Sequence, residues 1–408
     1  MKKCIYIIIS VLVLNVLLTS CGGLDITSGS NFDKEKISEE VISSNSQFAF
    51  DIFAKLNEED SDKNVFISPL SISTALTMTM QGANSNTLDE MMKALKYDRM
   101  DIETINESYK NLLLYMNQID KKIELNINNS IWLRKGESIL EEFKNVNKGI
   151  FNAPVYEVDF FREDAADTIN NWISKSTNNK IREMIQPPID PSVIMYLINA
   201  IYFKGEWTHK FDKNETFKSR FYTGNGNETE VMMMRTKGEF EYGIRDDFKV
   251  LRLPYGNGKT SMYCILPSED ISINQFINNL NESKWEEIRE SVSNTKDVLV
   301  NIPRFNIEYG IKSLKDVLIS MGMEEPFYDQ ADFSKMRGSR DIYIDEVFHK
   351  AIIEVNEEGS EAAGVTVVVM KELAVMEPLK FIANRPFVFL IADDTTDTVI
   401  FMGKLYNP

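Results

Sequence analysis

The sequence predicts a mixed α/β domain of the α+β kind, with long strands and helices that do not alternate strictly. Three observations predict it. Early in the chain apolar residues recur at helical spacing, with Phe48, Ile52, Phe53 and Leu56 on one stripe of 46–56. Two long segments then alternate with period two: Ile123, Leu125, Ile127, Asn129, Ile131 and Leu133, and later Met195, Leu197, Asn199, Ile201 and Phe203. The helical and strand patterns that follow form no regular repeat.

Residues 1–20 read as an export signal. Lys2 and Lys3 precede an apolar run, Ile5 to Leu18. It is shorter than the roughly 20 residues of a comfortable transmembrane span and suits a signal-peptide core. Leu18-Thr19-Ser20-Cys21 resembles a bacterial lipobox, which makes Cys21 the lipidated first residue of the mature chain. Acyl chains there would anchor the protein to a membrane of the cell envelope. Gly22, where an aspartate would retain the protein, implies outer-membrane sorting in a Gram-negative cell, facing the periplasm or the outside. The polar stretch 21–44 reads as a tether, and 45–408 as one domain.

Within that domain Ser68 caps a helix whose first residue is Pro69. Thr87-Leu88-Asp89-Glu90 fits a capping box before Met91, Met92 and Leu95. Asp101 to Asn117 is a fourth helix, and Phe143–Phe151 and 165–175 are two more. Val231 to Ile265 reads as strands with turns at Gly238 and at Tyr255-Gly256-Asn257-Gly258. Helices at 271–280 and 314–321 flank a strand at 298–305. A strand over 342–355 puts Val347, His349, Ala351, Ile353 and Val355 on one face.

Composition excludes several functions. Lys and Arg total 45 against 62 Asp and Glu, a net charge of −17 over 408 residues. With no basic cluster, nucleic-acid binding is excluded. There are two histidines, His209 and His349, and no Gly-x-Ser-x-Gly elbow, so a Ser/His hydrolase is not indicated. No His/Cys cluster has metal spacing and no glycine pattern cradles a phosphate. No metal, cofactor or enzymatic activity is expected. Of the three cysteines, Cys4 leaves with the signal and Cys264 sits in an apolar run as a small buried residue. Asn199, between Leu197 and Ile201, is a buried amide that must find partners.

The least ordinary stretch is Glu357 to Leu379, EEGSEAAGVTVVVMKELAVMEPL. Loops are usually polar because their backbone meets water. This one starts with two acids and a glycine, turns small, and then runs β-branched through Thr366, Val367, Val368 and Val369. It reads as a loop able to become a strand. Every second residue from Ser360 is uncharged through Met370.

EEGSEAAGVT resembles the proximal hinge of an inhibitory serpin. NAIYFKGEW at 199–207, ISPLSIS at 67–73, INNWISKSTNNKI at 169–181 and the ending from Phe381 match the same family in the same order. The resemblance implies the serpin fold, about nine helices around three β-sheets with an exposed, insertable reactive-centre loop at about 357–380, and a metastable monomer. It implies a protease inhibitor acting as a suicide substrate: the protease cuts the loop, is acylated, and is trapped as the loop inserts into the main sheet. Serpin loop insertion is an established case of strand addition. The implied hinge residues are Glu357, Gly359, Ser360, Ala362, Ala363, Gly364 and Thr366. A polar cluster of Ser68, Ser71, Asn199 and His349 would lie beneath the sheet, with Trp207 closing the opening above. The family's spacing puts the reactive bond at Leu373-Ala374, with Val375 and Lys371 as alternatives. Leu373 suits chymotrypsin-like or subtilisin-like proteases, and papain-like cysteine proteases as well. Ala374 and Val375 suit an elastase. Asp101, Glu103 and Glu107 outnumber Lys110 where some members bind a polyanion, so no glycosaminoglycan is expected. The rival reading is a non-inhibitory serpin, a binding protein or a simple protease substrate.

Overall fold

The first helix begins where two apolar residues, Val41 and Ile42, extend the stripe of Phe48, Ile52, Phe53 and Leu56 back by about two turns; all are buried. The structure, a computed structural model, describes residues 33–360 and 378–408. The chain order opens with α1 (Glu39–Glu59), β1 (Val65–Ile67), α2 (Pro69–Met80), α3 (Ser85–Ala94) and α4 (Ile102–Met116). There follow β2 (Ile123–Arg134), α5 (Glu141–Phe151), β3 (Val155–Val158), α6 (Ala165–Ser176) and β4 (Met195–Glu206). Next come β5 (Phe217–Tyr222), β6 (Glu228–Ile244), β7 (Phe248–Tyr255), β8 (Thr260–Pro267), α7 (Ile273–Asn278) and α8 (Glu282–Ser291). The rest comprises β9 (Ser293–Pro303), β10 (Phe305–Ser313), α9 (Lys315–Ser320), α10 (Ser334–Arg337), β11 (Phe348–Asn356), β12 (Gly359–Ser360), β13 (Leu379–Ile382), β14 (Phe387–Asp393) and β15 (Thr398–Leu405).

The fold is mixed α+β. The described residues form ten α-helices and two hydrogen-bonded sheets, against the implied nine and three. Two sheets become one because β6 is 17 residues long. It pairs with β5 near its start, with β9 through its middle and with β7 at its end. The smaller sheet has the order β10-β11-β12-β4-β2-β3. Helix α2 packs between β4 of this sheet and β15 of the larger one. On the opposite face α6 packs against β2 and β4, and Trp132, Ile169, Ile173 and Ile198 form a separate small core there.

Three expectations shift. The tether reading of 21–44 fails over its last part: α1 starts at Glu39, and the backbone of Asp33 and Ser38 donates to Asn111 and Ser108 of α4. The buried Val41 and Ile42 are the physical reason. The strand expected from 342 begins at Phe348. Ile342, Ile344 and Val347 still pack on the core, but from a loop held by Ile344 N to Pro326 O and Leu314 N to Val347 O. The capping box at Thr87 belongs to tertiary contacts instead. The helix starts three residues earlier, with Asn84 at its N-cap, Thr87 Oγ1 donates to Glu325, and Glu90 accepts from the backbone N–H groups of Glu324 and Glu325. A side-chain motif that fits a cap locally was recruited by a neighbouring segment.

Candidate functional site

The site is the junction where β11 ends and the loop begins. Gly359 and Ser360 form a two-residue strand between β11 and β4, antiparallel to both. Ser360 lies opposite Val355 on one side and Gly205 on the other. Among the described residues β12 is the strand that joins β11 to β4. Gly359 has φ of +147°, a conformation that L side chains rarely adopt. A Cβ there would sit 2.0 Å from the carbonyl oxygen of Gly205. The glycine is required by close approach as well as by its dihedral.

The two acids before it are buried, at 2% and 5% exposure. A buried carboxylate is costly unless it is paired. Burial pushes Glu357 up, but the Arg304 guanidinium and the Thr216 hydroxyl outweigh it and hold the carboxyl below its usual range. Arg304 Nε lies 2.7 Å from Glu357 Oε1. Burial likewise raises Glu358, and Lys213 and Lys210 bring it down. Lys213 Nζ is 3.0 Å from Glu358 Oε1, and Lys210 Nζ contacts Oε2 at 3.1 Å, an ion pair without hydrogen-bond geometry. The segment after β4 also bonds the backbone here. Trp207 N donates to Glu358 O, Phe211 N to Glu357 O, and Trp207 Nε1 to Asn356 O at 2.9 Å. Segment 206–216 and Arg304 therefore clamp residues 356–358.

Trp207 stacks on Tyr255, with ring centroids 4.4 Å apart and planes 13° apart. Beneath the middle of the sheet lies the polar cluster. Ser68 caps α2, accepting from Ser71 N and donating to Ile400 O. His349 Nε2 accepts from Ser68 N at 3.1 Å, which leaves the imidazole neutral with its proton on Nδ1. Ser71 Oγ donates to Asn199 Oδ1, and Asn199 Nδ2 donates to Asn129 Oδ1 at 2.6 Å. Asn129 in turn donates to Phe151 O. Asn199 is half-buried and not the fully buried amide expected, because the sheet leaves part of β4 accessible; it finds its partners in Ser71 and Asn129, while His349 holds Ser68. His209 is exposed.

Among the residues expected at the site, Ser68, Ser71, Asn199, His349, Trp207, Glu357, Gly359 and Ser360 are described. Ala362, Ala363, Gly364, Thr366, Lys371, Leu373, Ala374, Val375 and Cys21 lie outside the described residues. Sequence reasoning missed Arg304, Lys210, Lys213, Thr216, Asn129 and Tyr255. The Glu357-Glu358 doublet beside an apolar strand signals a need for cations, but not which ones. Among the described residues no cluster of His, Cys, Asp and Glu could hold a metal ion.

A model of the family described as Serpin (serine protease inhibitor) matches residues 43–408. The chain is a serpin. It is 34% identical to intracellular coagulation inhibitor 2 of Tachypleus tridentatus, over 92% of this chain and 93% of that protein. It is 36% identical to the leukocyte elastase inhibitor of Xenopus tropicalis, over 91% of this chain and all of that one. The native structure of tengpin, a thermophilic serpin, superposes with a TM-score of 0.82 at 32% identity, over 91% of this serpin and 95% of tengpin. Human thyroxine-binding globulin complexed with thyroxine superposes with a TM-score of 0.82 at 27% identity, over 91% and 99% of the two chains. The family thus includes inhibitors and a hormone-binding member.

Burial pushes the His349 imidazole down from the usual 6.5 to about 4. The unfolded chain therefore binds this proton more readily than the folded serpin does. The stabilisation from neutral His349 is present above about pH 6.5 and is lost as pH falls toward about 4. His349→Gln should flatten that part of the thermal midpoint's pH profile, measured by differential scanning calorimetry between pH 4 and 8. A profile that stays parallel to wild type would rule out His349 as the titrating group.

Proposed function

We propose that this serpin inhibits serine proteases as a suicide substrate, by inserting its cut loop between β11 and β4. The observation that carries this is the register of Gly359 and Ser360, a strand already begun in the right place. Continuing that register gives the length the sheet can accept. Ten residues beyond Ser360, 360 + 10 = 370 would pair with 205 − 10 = 195, the first residue of β4. Side-chain direction alternates along a strand. Ser360, Ala362, Gly364, Thr366, Val368 and Met370 would share the buried face, with no charge among them. The first charge in that set, Glu372, falls just past the end of β4. Six steps along, Thr366 would meet 205 − 6 = 199 and 355 − 6 = 349, a hydroxyl between Asn199 and His349. The uncharged set is as long as β4, and its one polar position past Ser360 matches the polar cluster. The relatives named as inhibitors support the same reading.

Incubation with elastase, chymotrypsin and subtilisin should give a complex that survives boiling in SDS. Papain tests the extension to cysteine proteases. Ala362→Arg would drive a charge beneath the sheet, at a cost of several kcal/mol. That variant should be cut but should trap about tenfold less protease. Trapping by Ala362→Arg at the wild-type stoichiometry would sink the insertion mechanism.

The main reactive bond in this reading is Leu373-Ala374, with Val375 and Lys371 as lesser sites. A hydrophobic pocket gains roughly 1–3 kcal/mol per fitted group, so several bonds can serve different proteases. Mass spectrometry of the peptide released from a denatured complex reads the bond directly. A fragment beginning at Ala374 is expected; one beginning at Glu372 would make the target trypsin-like.

The same serpin is proposed to be an envelope lipoprotein, on the strength of Lys2, Lys3, the apolar run and Cys21. Cys21→Ser should move it from the detergent phase to the aqueous phase in a Triton X-114 partition of expressing cells. An unchanged partition would remove the anchor from the account.

A further inference from the structure

Tyr255 is the last residue of β7, in the larger sheet, yet its hydroxyl reaches into the smaller one. It lies 2.8 Å from Ser360 Oγ, and both side chains are buried, at 0% and 2% exposure. Among the described residues neither hydroxyl has another side-chain partner. The ring does not depend on Ser360 for its position. It is stacked on Trp207, and Phe203 meets it edge-on at 5.1 Å and 74°. Gly205 leaves the room: a Cβ there would lie 2.7 Å from the Tyr255 ring. The phenol is thus a rigid group whose one polar atom is aimed at the first residue of β12.

The geometry points to Tyr255 as the receptor that seats the hinge, a positioning residue that selects a hydroxyl at the first inward-facing position. This rests on the loop-insertion reading above and deepens it. A buried hydroxyl without a partner is strongly disfavoured. Withdrawing Ser360 would take from the Tyr255 hydroxyl the one side-chain partner it has among the described residues. The pair therefore holds the hinge in the sheet before any protease arrives. Insertion starts from a seated residue instead of having to begin a new strand, and pre-organisation of this kind removes an ordering step. That step falls in the race between insertion and hydrolysis, where delay turns inhibitor into substrate. The pair also explains a serine at 360 where an alanine would be equally small.

The test is a double-mutant cycle on the full chain with Tyr255→Phe, Ser360→Ala and the pair combined, with Ser360→Thr as the conservative variant. Tyr255→Phe keeps the ring and its stacking, so the fold is expected to persist. Two quantities are read: the urea midpoint of the uncut protein, and the stoichiometry of inhibition against the protease that forms the most SDS-stable complex. Each single variant should lower the folding equilibrium constant of uncut protein by about fivefold, the size of one lost hydrogen bond. The double variant should be no worse than the poorer single one, and Ser360→Thr should match wild type. Stoichiometry should follow the same pattern. Effects that multiply independently in the double variant, or a Tyr255→Phe protein identical to wild type, would overturn the pairing. If wild type traps no protease at all, the inhibitory reading fails, and the urea cycle alone still decides whether Tyr255 seats Ser360.

Discussion

Two carboxylates with little access to water govern the top of the smaller sheet. Glu357 and Glu358 stand where β11 becomes loop, and both are nearly inaccessible. A carboxylate so placed needs a cation and hydrogen bonds to stay charged. Arg304 and Thr216 supply both for Glu357, and Lys210 and Lys213 supply the opposite charge for Glu358. Because Lys210, Lys213 and Thr216 belong to the chain just after β4, the pairing ties the end of β11 to the end of β4. Residues 356–358 are thereby held at a fixed place between the two strands. The backbone bonds from Trp207 and Phe211 tie the same two segments together, so the clamp does not rest on charge alone.

Below that clamp the central strands are held in a different way. Polar groups beneath the sheet are satisfied in a chain from Ser71 through Asn199 and Asn129 to the backbone of Phe151. His349 attaches β11 to the cap of α2 through Ser68. Helix α2 therefore serves β4 and β11 separately, one through Ser71 and one through Ser68, three residues apart on the same turn. Each of the two strands thus has its own partner on one helix. The arrangement accounts for five polar residues, Ser68, Ser71, Asn129, Asn199 and His349, in an otherwise apolar layer.

The long strands β2 and β4 and the helix that starts at Pro69 were legible from the sequence, because each reports one element's own geometry. Alternation misled at 342–347, where Ile342, Ile344 and Val347 do face the core but the backbone bonds run to Pro326 and Leu314 instead of to a strand. Side-chain periodicity reports which way residues point, not what their N–H groups reach. Thr87 and Glu90 misled for the same reason: a local motif was legible, and a distant segment competed for its donors and acceptors.

What the sequence by itself determined was the kind of element at each position and the chemistry the loop must have: small and uncharged on one face, with acids and a glycine at its root. Those properties follow from spacing of two or 3.6 residues and from side-chain size. Only the tertiary structure decided the partners. Arg304 meets Glu357 across 53 residues of chain and Tyr255 meets Ser360 across 105. Such contacts depend on sheet register, where a shift of one residue turns every side chain to the opposite face. The need for a cation beside Glu357 is a property of the residue; that the cation is Arg304 is a property of how β9, β10 and β11 come together.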